Sequence, residues 1–320
     1  MKRPVNKNYL WSKVFVDQLA NLGVEYVCIS PGSRSTSLTL AFARSSIKSF
    51  VILDERSSGF FALGLAKKTN NPVAVVTTSG TAVAELYPAV IEAYQQRVPL
   101  IVCTADRPPE MLNSGANQTI NQNNIYANHI NWFFDLGLPE VSRERISHLK
   151  SIALRAFVTS KIVNKGPVHL NFPFRKPFEP DSFTDEIEEK ALEEYLVLFN
   201  EPPQNNTNFA GVEIPESVLN KIRDSKKTLI ICGQDSYDKN FPELCSKLSK
   251  EMNLPVFADG ASPLRFYAVL SDNTIANFAS FLKSKNFIEV LDPELIIHFG
   301  NAPTSKTLLD FFRHSKAEKI

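Results

Sequence analysis

Four short apolar runs in this 320-residue chain each end in residues able to do chemistry. Residues 24–29 lead into Ser30-Pro31-Gly32-Ser33-Arg34, and residues 49–54 into Glu55. Residues 73–77 lead into Thr78-Ser79-Gly80-Thr81, and residues 98–103 into Thr104-Ala105-Asp106-Arg107. Two guanidiniums, Arg34 and Arg107, suit a substrate carrying carboxylates or phosphates, because Arg binds both through paired donors. A carboxyl at Glu55, followed by Phe60 and Phe61, suits proton transfer in a poorly solvated place. Thr78-Ser79-Gly80 opens a helix and offers free backbone donors. Taken singly, each feature has a plain alternative: Glu55 as a solvated carboxylate favoured at a helix start, Arg34 and Arg107 as salt-bridging partners at a sheet edge. Their shared position is what favours function. In a parallel sheet the carboxyl ends of the strands lie on one edge, where ligands bind.

The elements that must hold these residues follow from periodicity. Residues 9–22 place Leu10, Val14, Phe15, Leu19 and Leu22 on one helical face, and Gly23 ends the helix. A short helix is expected over 35–43. Another is expected over 57–68 with Ser57 as N-cap, and a third runs from Thr81 to about Gln95. Strand and helix alternate four times with short connections, the pattern of a parallel sheet wrapped by helices. Residues 113–131 are rich in amides, including Asn117-Gln118 and Asn121-Gln122-Asn123-Asn124, and are expected to be a functional loop. A helix is expected over 146–163, and residues 168–172 read as a strand closing this domain. The first α/β domain therefore spans 1–180. A connector with an acidic helix over 186–198 occupies 181–207. A second α/β domain over 208–320 has strands at 228–232, 254–258 and 295–299, helices at 241–252 and 306–313, and the start of a further strand at Lys319-Ile320.

Composition limits the classes. Hydrophobic residues make up 43% and charged residues 22%, with a formal net charge of +1. That balance points to no nucleic-acid or acidic-membrane partner. No apolar run is long enough to span a bilayer. Cys28, Cys103, Cys232 and Cys245 show no metal-ligand or redox spacing and are expected to be buried free thiols of a cytoplasmic protein. The five histidines are scattered, without zinc spacing, and His169 and His298 are expected to be satisfied core residues. No metal site is expected in the chain. GxGxxG, GxxxxGK[ST] and GxSxG are all absent, which disfavours a dinucleotide, triphosphatase or hydrolase reading.

The segments ISPGSRSTSLTLA, DERSSGFFALGLAKKT, VVTTSGTAVAELYPAVIEA, CTADRPPE, GANQTINQ and GPVHLNFPF together resemble the N-terminal part of the 2-succinyl-5-enolpyruvyl-6-hydroxy-3-cyclohexene-1-carboxylate synthases. These are thiamine-diphosphate enzymes of menaquinone biosynthesis. ADGASPLR and FGNAPTSK resemble the same family's middle domain. The resemblance implies a pyrimidine-binding domain over 1–180 and a Rossmann-like, incomplete middle domain over 208–320. It implies decarboxylation of 2-oxoglutarate and addition of the resulting succinyl-semialdehyde carbanion to isochorismate. By the same resemblance Glu55 hydrogen-bonds the aminopyrimidine ring, with Thr78, Ser79 and Gly80 beside it. Ser33, Arg34 and Arg107 hold isochorismate, Asn117 and Gln118 face the reacting centre, and Lys306 approaches the substrate carboxylates. The family's GDG segment for diphosphate and Mg²⁺ (or Mn²⁺) does not occur in this sequence. That site is expected in a domain absent from the chain, which alone is expected to be inactive. The full-length enzyme is expected to be a dimer or tetramer. Two alternatives stand beside this reading: a non-catalytic binder of an isochorismate-like dicarboxylate, and another thiamine-diphosphate decarboxylase.

Overall fold

A computed structural model describes residues 6–180, 185, 187, 190, 192–193, 195, 214–235, 237, 240–266 and 272–320. Most of the acidic helix expected over 186–198 lies outside the described residues; Lys190, Leu192, Glu193 and Tyr195 are helical. The chain divides into two compact units, Met1–Thr207 and Asn208–Ile320.

The first unit is built on a six-stranded parallel sheet, in the order β2-β1-β3-β4-β6-β5. The strands are β1 (Tyr26–Ile29), β2 (Lys48–Val51), β3 (Val73–Thr77), β4 (Leu100–Asp106), β5 (Trp132–Asp135) and β6 (Pro167–Pro173). The helices are α1 (Lys7–Asn21), α2 (Thr36–Ala43), α3 (Glu55–Thr69), α4 (Thr81–Glu85), α5 (Tyr87–Gln95) and α6 (Arg143–Val158). Side chains alternate across a strand, so each strand feeds two cores. Val27, Ile29, Ala74, Val76, Ile101 and Cys103 pack into one layer with α1, α2 and α6. Cys28, Val73, Val75, Leu100 and Val102 pack into the other with α3 and α5. β3, β4 and β6 are buried along their whole length, which is why they read as continuous apolar runs.

Several boundaries differ from the sequence expectation. Helix α3 starts at Glu55, two residues early. Asp54, not Ser57, is its N-cap and accepts a hydrogen bond from the Ser57 amide at 2.7 Å. The helix expected from Thr81 to Gln95 breaks at Leu86. Pro88 has no amide to give the preceding turn and crowds its carbonyl. β4 runs three residues past Cys103, because β6 pairs with it as far as Asp106 opposite Pro173. β6 is the last strand of the unit, as expected, but it pairs inside the sheet; β5, an unanticipated strand, takes the edge. The helix expected over 146–163 ends at Val158 and continues as a wider turn, Thr159–Val163.

The second unit has a five-stranded parallel sheet in the order β11-β10-β7-β8-β9. It comprises β7 (Thr228–Cys232), β8 (Val256–Ala258), β9 (Thr274–Ile275), β10 (Leu295–Phe299) and β11 (Glu318–Lys319). Helices Phe241–Glu251 and Lys306–His314 match the expectation within a residue. Glu216–Asp224, Phe278–Phe281 and Lys285–Leu291 were not anticipated.

Candidate functional site

In the first sheet the strand order reverses between β1 and β3, the place where open parallel sheets form a ligand crevice. The chain packs tightly there. The Ser30 amide donates to Val76 O at 2.9 Å, and Ser30 Oγ donates to Ile52 O at 2.8 Å, tying the ends of β1, β2 and β3 together. A Cβ on Gly32 would meet Thr78 Cβ at 2.5 Å. Gly80 has φ +86°, and a Cβ there would meet Gln118 Cγ at 2.8 Å. Gln118 Nε2 in turn donates to Ser79 O at 3.0 Å. Thr77 Oγ1 and Ser79 Oγ are buried with no hydrogen-bond partner.

Ser33 opens a tight turn, Ser33–Ser35, and is exposed, while Arg34 turns inward and is buried. Arg34 Nη1 donates to Phe174 O at 2.6 Å, and its guanidinium lies 4.6 Å from the Phe178 ring centroid. Burial pulls the Arg34 pKa below its usual range; Arg107 nearby adds to this and Asp106 opposes it. Burial does the same to Arg107, again opposed by Asp106. Arg107 Nη2 donates to Asn117 O at 2.8 Å, but its Nε and Nη1 are buried without partners. Two desolvated cations in each other's field, one with unused donors, are chemically able to hold an anion. The structure thus brings together Arg34, Arg107, Asn117, Gln118, Ser79 and Gly80.

Glu55 is placed differently from the enclosed carboxyl expected beside Phe60 and Phe61. It sits half-buried in the first turn of α3. Around it Val51, Leu53, Phe60 and Phe61 are 66%, 82%, 42% and 43% exposed. Phe60 and Phe61 do not bury it within this chain; Phe61 instead packs edge-on against Phe50 at 5.1 Å between centroids. Lys306 belongs to the second unit, at the start of helix Lys306–His314, and is exposed. It lines a cavity of about 630 Å³ with Asp310, His314 and Lys316 among others.

Sequence reading missed the buried polar network behind Arg107. Gln122 and Asn171, 1% and 0% exposed, hydrogen-bond to each other, and Asn171 also donates to Asp106. Gln122 sits in a run of similar amides, so nothing in composition separates it from its exposed neighbours. Burial raises the Asp106 pKa, and the bonds from Asn171 and the Arg107 amide oppose the rise. His169 is only half satisfied. Its Nε2 lies 2.8 Å from Thr104 Oγ1, which itself donates to Asn171 Oδ1, so Nε2 is the donor. Nδ1 has no partner, and burial lowers the His169 pKa to about 3. His298 is half-buried, with Nε2 3.1 Å from Asn301 O. All four cysteines are buried and free. Cys232 and Cys245, far apart by spacing, lie with their sulfurs 3.9 Å apart. Among the described residues no cluster of three or more His, Cys, Asp or Glu could hold a metal ion. Among them, too, no helix is long and apolar enough to cross a membrane.

Residues 11–125 match the family described as "Thiamine pyrophosphate enzyme, N-terminal TPP binding domain". Curated relatives share the name 2-succinyl-5-enolpyruvyl-6-hydroxy-3-cyclohexene-1-carboxylate synthase. The chain is 43% identical to that of Haloquadratum walsbyi over 96% of its own length and 50% of the relative's. It is 37% identical to that of Trichodesmium erythraeum over 98% of its length and 54% of the relative's. For Oceanobacillus iheyensis the identity is 41%, over 92% and 50%. The chain spans about half the length of the curated relatives it matches.

Proposed function

We propose, for a chain that by relatedness along nearly all its length is a member of the 2-succinyl-5-enolpyruvyl-6-hydroxy-3-cyclohexene-1-carboxylate synthase family, that its first unit is the pyrimidine-binding domain of such an enzyme. The whole protein then decarboxylates 2-oxoglutarate and joins the four-carbon remainder to isochorismate. The observation that carries this reading is the anion site: Arg107, with buried unpaired Nε and Nη1, beside a buried Arg34. Isochorismate carries two carboxylates, and two desolvated guanidiniums match that charge and number.

The residues at the sheet ends fit the pyrimidine half of thiamine diphosphate. Thr77 and Ser79 present buried hydroxyls without partners, Gly32 and Gly80 leave no room for a Cβ, and Glu55 stands in the first turn of α3. When bound, the cofactor supplies the ring carbon that lets a 2-oxo acid lose CO₂. Glu55 would share a proton with a ring nitrogen of the aminopyrimidine and so favour the tautomer whose exocyclic nitrogen can act as a base. Arg34 and Arg107 fix the acceptor by its carboxylates, with Ser33 at the rim. Asn117 and Gln118 orient polar groups at the reacting centre. Mg²⁺ or Mn²⁺ with the diphosphate is held by residues other than these. The exposed Val51, Leu53, Phe60 and Phe61 around Glu55 support a homo-oligomer, in which a partner covers this apolar surface and dries the carboxyl. Buried free thiols suit the cytoplasm.

The test uses the full-length enzyme with both substrates. Arg107→Ala is expected to raise KM for isochorismate at least about tenfold, the loss of a charge-assisted contact, while leaving KM for 2-oxoglutarate unchanged. An unaltered isochorismate KM removes the anion site from the reading.

A further inference from the structure

We propose that Gln122 and Asn171 are positioning residues that hold Arg107 and the Ser79-Gly80 backbone in one register. The inference rests on the functional reading above for the identity of the ligand, and on hydrogen bonds alone for the device itself. Gln122 Oε1 accepts from the Gly80 amide at 2.9 Å. Its Nε2 donates to Ala105 O at 3.1 Å and to Asn171 Oδ1 at 2.9 Å. Asn171 Nδ2 donates to Asp106 Oδ2 and to Asp135 Oδ2, both at 2.8 Å. Asp106 Oδ1 accepts from the Arg107 amide at 2.7 Å. From the guanidinium the path returns: Arg107 Nη2 to Asn117 O at 2.8 Å, then along the chain to Gln118, whose Nε2 reaches Ser79 O at 3.0 Å. The bonds close a ring through the ends of β3, β4 and β6 and the amide-rich loop.

Asn171 is saturated, and Gln122 has both of its donors engaged. Gln122 uses its oxygen and its amino group within the ring, and Asn171 Oδ1 takes a second bond from Thr104 Oγ1 at 2.9 Å. Neither has a donor left for a ligand and both are buried, so neither is a substrate contact. The ring instead ends on a group that does have capacity, the Arg107 guanidinium with its two unpaired nitrogens. A fully satisfied buried network is rigid, and one altered member leaves several partners unsatisfied. Losing Gln122 therefore moves Arg107 and Gly80 together, although they follow different strands.

The test compares full-length wild type with Q122E, R107A and the double variant. Q122E keeps the volume and the acceptor for the Gly80 amide but sets a carboxylate against Ala105 O and Asn171 Oδ1. We expect KM for isochorismate to rise about tenfold, the scale of unsatisfied buried groups, with KM for 2-oxoglutarate within about twofold of wild type by the same accounting. The defect shrinks as pH falls, because a protonated Glu regains one donor. In the R107A background Q122E adds nothing, since both act on one contact. Equal rises in the two KM values, or additive effects in the double variant, overturn the proposal. Q122M, which removes the bonds without adding charge, carries the same comparison where Q122E does not fold. Hydrogen exchange at the Gly80 amide reads the ring without reference to any reaction. Faster exchange there in Q122M, with amides elsewhere in the sheet exchanging as in wild type, upholds the device even if wild type fails to make the carboligation product and the functional reading falls. Unaltered exchange overturns it.

Discussion

A carboxyl is useful in catalysis when its surroundings make one proton position cheap, and Glu55 has only part of those surroundings within its own chain. It is half-buried at a helix start whose neighbouring apolar side chains face outward. With that surface covered, the carboxyl is dry and its proton can be shared with a ring nitrogen. Glu55→Gln in the full-length enzyme keeps the shape and a hydrogen bond but removes the proton transfer, which typically contributes about 10²–10⁴-fold. We expect kcat for carboligation to fall by that range, measured at saturating thiamine diphosphate so that weakened cofactor binding does not enter. Near-wild-type turnover would remove Glu55 from the proton path. At this scale the sequence displayed the charged residues well and the buried amides poorly. Arg34 and Arg107 stand out because a guanidinium just after an apolar run is unusual. Gln122 is one amide among many, and only the pairing of β4 with β6 shows that it faces inward toward Asn171.

Elements depend on their ends, and the ends are where pattern reading slipped. Asp54 and Ser57 are both good caps, and the periodicity of α3 does not choose between them; the extended backbone at Asp54 does. In the second unit a helix start is fastened from a distance. Asp259, wholly buried at the end of β8, accepts from the Thr304 amide at 2.9 Å, from Thr304 Oγ1 at 2.5 Å and from the Ser305 amide at 3.2 Å. These residues lead into helix Lys306–His314, so one carboxylate fastens a loop and a helix start to the sheet. Burial works to raise the Asp259 pKa, but the bonds from Thr304 and Ser305 outweigh it and hold the carboxyl below its usual value. A depressed carboxyl binds fewer protons folded than unfolded. Its stabilisation is complete above the ordinary carboxylate pKa of about 3.9 and is lost as pH falls through the lower, folded value. Asp259→Asn is expected to cost about 1 kcal/mol at neutral pH, the net value of a hydrogen bond, and to flatten the fall of melting temperature on the acid side of pH 4. Calorimetric melts of the chain and the variant from neutral pH down to about 2 check this; parallel acid slopes would show that other carboxylates govern the acid limb.

At the scale of the whole molecule, the sequence announced two α/β units because each alternates strand and helix with short links, and both sheets are parallel. What it left out are the short, amphipathic helices of the second unit, whose few residues carry too little periodicity to register. The same whole-chain view bears on the cofactor. The first unit offers a carboxyl, buried hydroxyls and close backbone for a heterocycle. Thiamine diphosphate also carries a highly charged diphosphate, which needs a divalent cation and oxygen ligands. The sequence holds no GDG segment, and among the described residues no acidic cluster could hold the ion. Most of the binding free energy of so charged a molecule comes from that end, through metal and charge-assisted contacts. Thiamine diphosphate with Mg²⁺ titrated into this 320-residue chain is therefore expected to give no measurable binding heat at micromolar protein, and the chain alone no turnover of 2-oxoglutarate. The full-length enzyme is expected to bind the cofactor and turn over. Tight binding by the chain alone would mean that these residues complete the diphosphate site. The oxygen ligands would then have to come from carboxylates outside the anion site, because Arg34 and Arg107 repel the cation that the diphosphate brings with it.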